Sequence, residues 1–499
     1  MYMGGFYMNK NQAVDAKGKP YNRTMFVLLL LVGAFVAILN QTILATAFPT
    51  LMHAFNINTS TVQWLTTGFM MVNGILIPVS TWLNTRFNTK WLYLGAMLIF
   101  EIGTIMAYMA PSFGVLFAGR LVQAVGVGVI MPLLQTVMLT IFPADKRGAA
   151  MGMAGMVIGL APAIGPTLSG WIIDNYQWRD LFGMLIPIAA LVLIFGLAYI
   201  KPVLKTEKSK LDVLSLILST IGFGSALYGF SSVGSDGWGS QTVIVSLVIG
   251  AIFVGLFVWR QLTMKEPFLN LNVFKSAEFS IGTMIASIVF MAMIGVEMII
   301  PLYLQIVRGM TAFDSGLTLL PGAIMMGIMS PFTGKIFDKY GAKKLAIGGL
   351  FLLSLGTFPF MFLTKTTPVH YITMLYVVRM FGVAMVMMPV TTSAMNALPV
   401  TMMSHGTAVN NTVRQICASI ATAIMVSILA NVTTDNMPAK HIMKLNPIHY
   451  VSLAINATLK GYSAAFAIAF GLSLIAFLAG FMLKKGRVTT IKVGKEDTK

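Results

Sequence analysis

Two glutamates and three arginines lie inside stretches that are otherwise apolar. Glu297 sits in IASIVFMAMIGVEMIIPLYLQ, Glu101 in WLYLGAMLIFEIGTIMAYMA, and Arg120 in VLFAGRLVQAVGVGVIMP; Arg379 and Arg414 are set in similar runs. A charged side chain at the depth of a bilayer costs roughly 2.5–3.5 kcal/mol on insertion scales, so such residues usually carry a function. Removal from water favours the neutral form of any carboxyl group, so an embedded acid can load and release protons near neutral pH. The chemistry implied is movement of protons, ions or polar solutes through a membrane. Glu297 is the first candidate proton carrier. Its alternative is a glutamate that only hydrogen-bonds a neighbouring helix. Glu101 and Arg120 lie at similar depth on consecutive antiparallel helices and are expected to pair, as static glue or as a switch. Arg120 otherwise anchors by snorkelling. Arg379 and Arg414 have the same two readings.

The elements that position these residues are membrane spans. Of 499 residues, 57% are hydrophobic and 10% charged, against roughly 25% charged in soluble proteins. Apolar windows of about 20 residues are spanning candidates. Fourteen occur, near 25–48, 61–83, 91–110, 114–141, 150–173, 181–200, 212–231, 243–262, 279–303, 315–337, 344–363, 371–395, 405–430 and 462–483. The run near Met25 is long enough to span and is read as a retained first helix, not a cleaved signal. With the N-terminus inside, twenty-five lysines and arginines fall on inner segments and six on outer ones. That asymmetry predicts cytoplasmic termini, and basic loops beside anionic lipid account for the net charge of +18 without nucleic acid. The longest outer loop, about 431–461, is expected to lie on the membrane surface, and its two Asn-x-Thr triplets carry little weight. A lone cysteine, Cys417, excludes a disulfide framework and a cysteine metal site. G-x-x-x-x-G-K-[ST] is absent, which points to an ion gradient as energy source and to no cofactor.

The chain also repeats itself. Thr81–Lys90, with Arg86, is followed by Arg120, and Gly334–Lys344, with Lys339, by Arg379; LFAGRLVQ answers LYVVRMFG, with Pro132 and Pro389 downstream. Duplicated halves with a binding site between them are the usual construction of secondary transporters. The reading divides the chain into a cytoplasmic leader (1–24), a six-helix bundle (25–200), a linker with two extra spans (201–278), a second six-helix bundle (279–483) and a basic cytoplasmic tail (484–499).

These features together resemble the major facilitator superfamily, and within it the fourteen-helix drug:proton antiporters of the EmrB/QacA type, LmrB-like branch. The likeness runs from about Leu39 to Phe481. It rests on LNQTILATAFP from Leu39, the gate loop Gly334–Lys344 (G-x-x-x-D-[RK]-x-G-x-[RK]-[RK]), RLVQAVG from Arg120, GPTLSG from Gly165 preceded by Gly152, WRDLF from Trp178 with Pro187, EPF from Glu266 with Val273-Phe274, PLYLQ from Pro301 and VRQ from Val413. Asn40 stands where many members carry aspartate, so proton coupling cannot rest there. Thr81, Thr85 and Asn88 make the first gate motif degenerate. Arg120 resembles the family's coupling arginine, which puts it beside the embedded acids Glu297 and Glu101 as a candidate for proton coupling. It implies a substrate cavity at Asn40, Gln41, Gln123, Met385, Met388, Arg379 and Arg414. Gly334, Asp338, Lys339, Gly341, Lys343, Lys344 and Arg86 would form a conformational gate, with charge pairs holding one state. Gly152, Pro162, Gly165, Pro166 and Gly170 would make a pliable seam between the halves, unless they serve tight packing alone. The expected protein is a bacterial cell-membrane transporter, not an enzyme, and a monomer. It would export small hydrophobic drugs in exchange for protons. An exporter of one endogenous metabolite, or a non-transporting membrane protein on the same fold, are the alternatives.

Overall fold

The computed structural model describes residues 14–484 apart from 17, 45–46, 58, 205, 207–210, 268 and 440–445. Outside the described residues lie most of the leader with Lys10 and Lys17, loop lysines Lys205, Lys208, Lys210, Lys440 and Lys444, the tail beyond Lys484, and Ala45, Thr46 and Phe268 of the family-like motifs.

Among the described residues every element of length is an α-helix, and fourteen helical segments are long and apolar enough to cross a membrane. The first half comprises α1 (Arg23–Thr42), α2 (Phe48–Phe55), α3 (Thr59–Arg86), α4 (Thr89–Tyr108), α5 (Phe113–Ile141), α6 (Arg147–Asn175), α7 (Asp180–Gly183) and α8 (Leu185–Tyr199). The extra pair is α9 (Val213–Asp236) and α10 (Gln241–Thr263). The second half comprises α11 (Ala277–Ile306), α12 (Ala312–Tyr340), α13 (Ala342–Thr357), α14 (Val369–Asn396), α15 (Met403–Asp435) and α16 (Pro447–Gly480). In lipid the backbone has no other partner than itself, which is why the apolar runs are all helical.

Two boundaries differ from the sequence reading. The first span ends at Thr42, and α2 follows as a separate helix that begins with Pro49 in its first turn. The expected surface loop at 431–461 is largely helix. α15 and α16 have 33 and 34 residues, about 50 Å each at 1.5 Å per residue, so both run past a hydrocarbon layer of about 30 Å. Lys460 donates to the Asn436 side chain at 2.9 Å across that extension.

Glycine lets the helices of each half approach. A Cβ at Gly103 would sit 2.6 Å from the Gln123 backbone nitrogen, and one at Gly126 2.5 Å from the Ala96 carbonyl oxygen. In the second half a Cβ at Gly382 would lie 2.5 Å from the Gly349 carbonyl oxygen, and one at Gly356 2.9 Å from the Arg379 nitrogen. Thus α4 presses on α5, and α13 on α14, through the same device. Small residues at such contacts replace the missing hydrophobic drive between helices in lipid.

The halves meet chiefly where α6 lies along α12. Gly148 faces Gly334, Gly152 faces Ser330 and Pro331, Gly159 faces Met326, and Gly170 faces Phe313. Gly165 instead packs on Thr42 of α1. The glycines and prolines Pro162 and Pro166 expected to form a seam therefore sit on the helix that touches the other half.

Candidate functional site

Arg120 is wholly buried in α5. Its Nη1 donates to the Asn40 carbonyl at 3.1 Å and to Gln123 Oε1 at 2.9 Å, and Nε donates to the Leu65 carbonyl at 3.4 Å. The guanidinium also lies 4.2 Å from the centre of the Phe69 ring. Gln123 completes the cluster: its Oε1 accepts from Asn40 Nδ2 at 3.2 Å, and its Nε2 donates to Thr104 Oγ1 at 2.9 Å. A buried charge is tolerated when its donors are met; here carbonyls and an amide take Nε and Nη1, while Nη2 stays without a hydrogen-bond partner.

The expected pairing of Arg120 with Glu101 is therefore corrected. Glu101 is buried, and its Oε2 has no hydrogen-bond partner. No ion pair joins the two among the described residues. The reason is helical geometry. Arg120 gives its bonded donors to the Asn40 and Leu65 carbonyls and to Gln123, and Gly103, where α4 presses on the α5 backbone, lies about 200° round the helix from Glu101. Equal depth did not mean facing sides.

The second half repeats the arrangement with one addition. Arg379, also wholly buried, donates from Nη2 to the Ala292 carbonyl of α11 at 2.5 Å and from Nε to Thr357 Oγ1 at 3.3 Å. In both halves the arginine of the fourth core helix reaches a carbonyl of the first and is tied, directly or through Gln123, to a threonine that follows a glycine (Gly103-Thr104, Gly356-Thr357). The addition is Glu297. It lies in α11, partly accessible, with the Tyr376 hydroxyl and the Arg379 guanidinium as its polar neighbours. Tyr376 was missed in the sequence. Its signal was there: it stands one turn before Arg379 on the same helix face.

The gate expectation also needs a correction. Asp338 makes no ion pair among the described residues. Its carboxylate caps the other half: the backbone N–H of Gly148 donates to Oδ1 at 2.7 Å and that of Ala149 to Oδ2 at 2.9 Å. These are unsatisfied first-turn groups of α6, at the positive end of that helix. The motif glycines allow it, since any side chain at Gly334 would collide with the Gly148 carbonyl. Gly341 ends α12 with φ 82°, a conformation glycine adopts freely. The lysines turn elsewhere: Lys343 Nζ donates to the Phe481 carbonyl at 2.9 Å, Lys339 lies over the Tyr340 ring, and Lys344 is exposed, as is Arg86 at the end of α3. Two more bonds cross between the halves near this basic end. Arg147 Nη1 donates to Asn396 Oδ1 at 2.9 Å, and Asn411 Nδ2 donates to Gln135 Oε1 at 2.8 Å.

Of the residues assigned to a substrate cavity, Asn40, Gln123 and Arg379 are fully buried in this conformation. Gln41 is partly exposed. Met388 touches α6 at Gly155, on the boundary between the halves. Met385 packs within its own half, against Phe337, Ala342 and Leu345. Arg414 stacks 4.2 Å from the centre of the Phe290 ring.

This architecture has known counterparts. The family description "Major Facilitator Superfamily" matches residues 30–422. The chain is 50% identical over 467 residues to the uncharacterized MFS-type transporter YcnB of Bacillus subtilis, covering 94% of this chain and 96% of that one. It is 42% identical over 476 residues to the lincomycin resistance protein LmrB of Bacillus subtilis, covering 95% and 98%. It is 28% identical over 420 residues to the multidrug export protein EmrB of Escherichia coli, covering 83% and 82%. The solved structure of the proton:xylose symporter XylE superposes with a TM-score of 0.60 at 14% identity, over 93% of this chain and 97% of that one, a likeness of fold alone. The chain is a multi-pass membrane transporter, not an enzyme, and belongs to the Major Facilitator Superfamily, with the EmrB/QacA-type transporters.

Proposed function

We propose that the protein exports small hydrophobic or amphiphilic toxic compounds in exchange for protons, by alternating access of the two halves. The observation that carries this reading is Glu297: a partly accessible carboxylate deep in α11, beside Tyr376 and Arg379. Such a group can alternate between a proton and its arginine neighbour as access changes. Drug export is supported by relatives named for lincomycin resistance and multidrug export. The latch from Asp338 to the α6 N-terminus would hold the end shut that carries the basic loops, and release as the halves rock.

The proposed setting is the cell membrane of a bacterium, with both termini cytoplasmic and the monomer as working unit. Residues 25–200 and 279–483 would be the rocking units and 201–278 the link. Proton coupling is assigned to Glu297, with Arg120 and Glu101 in support. The test is a susceptibility panel in a pump-deficient bacterial host, with a protonophore control. Resistance to several unrelated amphiphiles that the protonophore abolishes is the expected result. No change for any compound, at verified membrane expression, would overturn multidrug export and favour a single endogenous substrate.

A further inference from the structure

Three arginines are embedded among the described residues; two of them are hydrogen-bonded, though each keeps one unpartnered nitrogen, Nη2 of Arg120 and Nη1 of Arg379. Arg120 has two carbonyls and Gln123; Arg379 has a carbonyl, Thr357 and the neighbouring Glu297. Arg414 differs. It is 6% exposed, its Nε is buried without a partner, and it makes no hydrogen bond or ion pair among the described residues. Its guanidinium lies instead against the face of Phe290 on α11. One turn earlier, Asn410 is fully buried with both amide atoms unpartnered.

Their position is fixed by neighbours on α15. Asn411 bonds Gln135 of the first half, and Gln415 lies against Gly74 of α3. That face of α15 therefore turns to the boundary between the halves, and Arg414 stands on its edge toward α11. On α11, Phe290 precedes Glu297 by two turns on one side of the helix.

An unpaired guanidinium and an unpaired amide, desolvated together, are costly unless something binds them during the working cycle. Free donors in a planar fork beside an aromatic face match a carboxylate attached to an aromatic body. We infer that Arg414, Asn410 and the Phe290 ring form a subsite for the carboxylate of an aromatic or amphiphilic transported molecule. The inference rests on the transporter reading and names its substrate class.

The test uses the full chain in detergent and two aromatic probes of opposite charge, 5-carboxyfluorescein and ethidium, followed by fluorescence anisotropy. Wild type should bind carboxyfluorescein saturably. Arg414→Gln should weaken that binding at least about tenfold, the loss expected for one charge-assisted contact, with ethidium unaffected. Asn410→Asp places a counter-ion beside Arg414, so it should fold well and also lose carboxyfluorescein. Arg414→Lys should retain part of the affinity. Absence of saturable carboxyfluorescein binding in wild type, or full binding in both Arg414→Gln and Asn410→Asp, overturns the subsite. Dye efflux from reconstituted vesicles on a pH gradient separates the two readings. Ethidium export without carboxyfluorescein binding sinks the subsite and leaves the exporter. Arg414-dependent binding with no export of either dye does the reverse.

Discussion

Asp338 and Gly148 lie 190 residues apart on opposite halves of the bundle, yet the carboxylate of one accepts the backbone N–H of the other at 2.7 Å. With the Ala149 N–H on the second oxygen, one side chain satisfies two first-turn donors of a helix terminus that have no partner within their own helix. No side-chain cation takes part.

Asp338→Asn should therefore slow transport more than it weakens substrate binding. The amide offers one acceptor where the carboxylate offers two charged ones. Each charge-assisted bond is worth about 1.5–3 kcal/mol, so a loss of roughly tenfold or more in turnover is expected. Efflux rates and equilibrium dye binding, measured on the same preparation, check it. Normal turnover with lost binding would contradict a latch. Gly334→Val should do comparable damage by sterics, since its side chain has nowhere to go but the Gly148 carbonyl.

Glu297→Gln is expected to abolish proton-driven efflux while the protein still folds and inserts. The glutamine keeps the shape but cannot carry a proton. Dye efflux against an imposed pH gradient is the measurement, at matched expression. Wild-type rates in the variant would remove Glu297 from the coupling role. Tyr376→Phe should give a milder defect, because it removes a polar neighbour of the carboxylate and leaves the carboxylate itself.

Arg120 should couple to Gln123 and not to Glu101. In double-mutant cycles on membrane expression and efflux, Arg120→Ala with Gln123→Ala should be markedly non-additive, since both belong to one bonded cluster. Arg120→Ala with Glu101→Ala should add within about 0.5 kcal/mol. The opposite pattern would mean that the two charges meet in another state of the cycle.

The foot of the extra helix pair predicts a pH effect. Asp212 accepts from Arg260 Nε at 2.8 Å and Nη2 at 2.9 Å, and the arginine's hydrogen bonds hold its carboxyl down at about 2. A carboxyl depressed on folding contributes stability that is full above its unfolded value, about 3.9. That contribution is lost as pH falls through the folded one. Asp212→Asn should lower the thermal midpoint at neutral pH. The gap to wild type should then close between about pH 4 and pH 2. A gap constant over that range would show that the pair contributes nothing.

Hydropathy alone placed the spans because lipid leaves a chain few options, and most helix ends fell within a few residues. It failed where apolar content and helical continuity part company. The run through Phe48 reads as one span, but the helix stops at Thr42. The stretch before Tyr462 reads as loop because His449, Asn456 and Lys460 interrupt it, yet α16 begins at Pro447. At the site, the sequence supplied the embedded ions and the gate aspartate. It could not supply their partners. Arg120 bonds backbone carbonyls and Asp338 bonds backbone N–H groups, and main-chain partners leave no trace in residue identity.

The extra pair is more than a tether. Trp64 of α3 stacks on Tyr228 of α9, and Thr67 meets Ser231; on the other side Trp238 bonds Ser427 of α15, and Gly234 lies against Val426. α9 thus fills the crevice between α3 and α15, on the flank away from the long α6–α12 contact. A greasy molecule dissolved in the bilayer would find that sideways doorway bricked up. The opposite flank is held by the glycine contacts of α6 on α12, so cargo dissolved in the lipid would have to part helices to enter on either side.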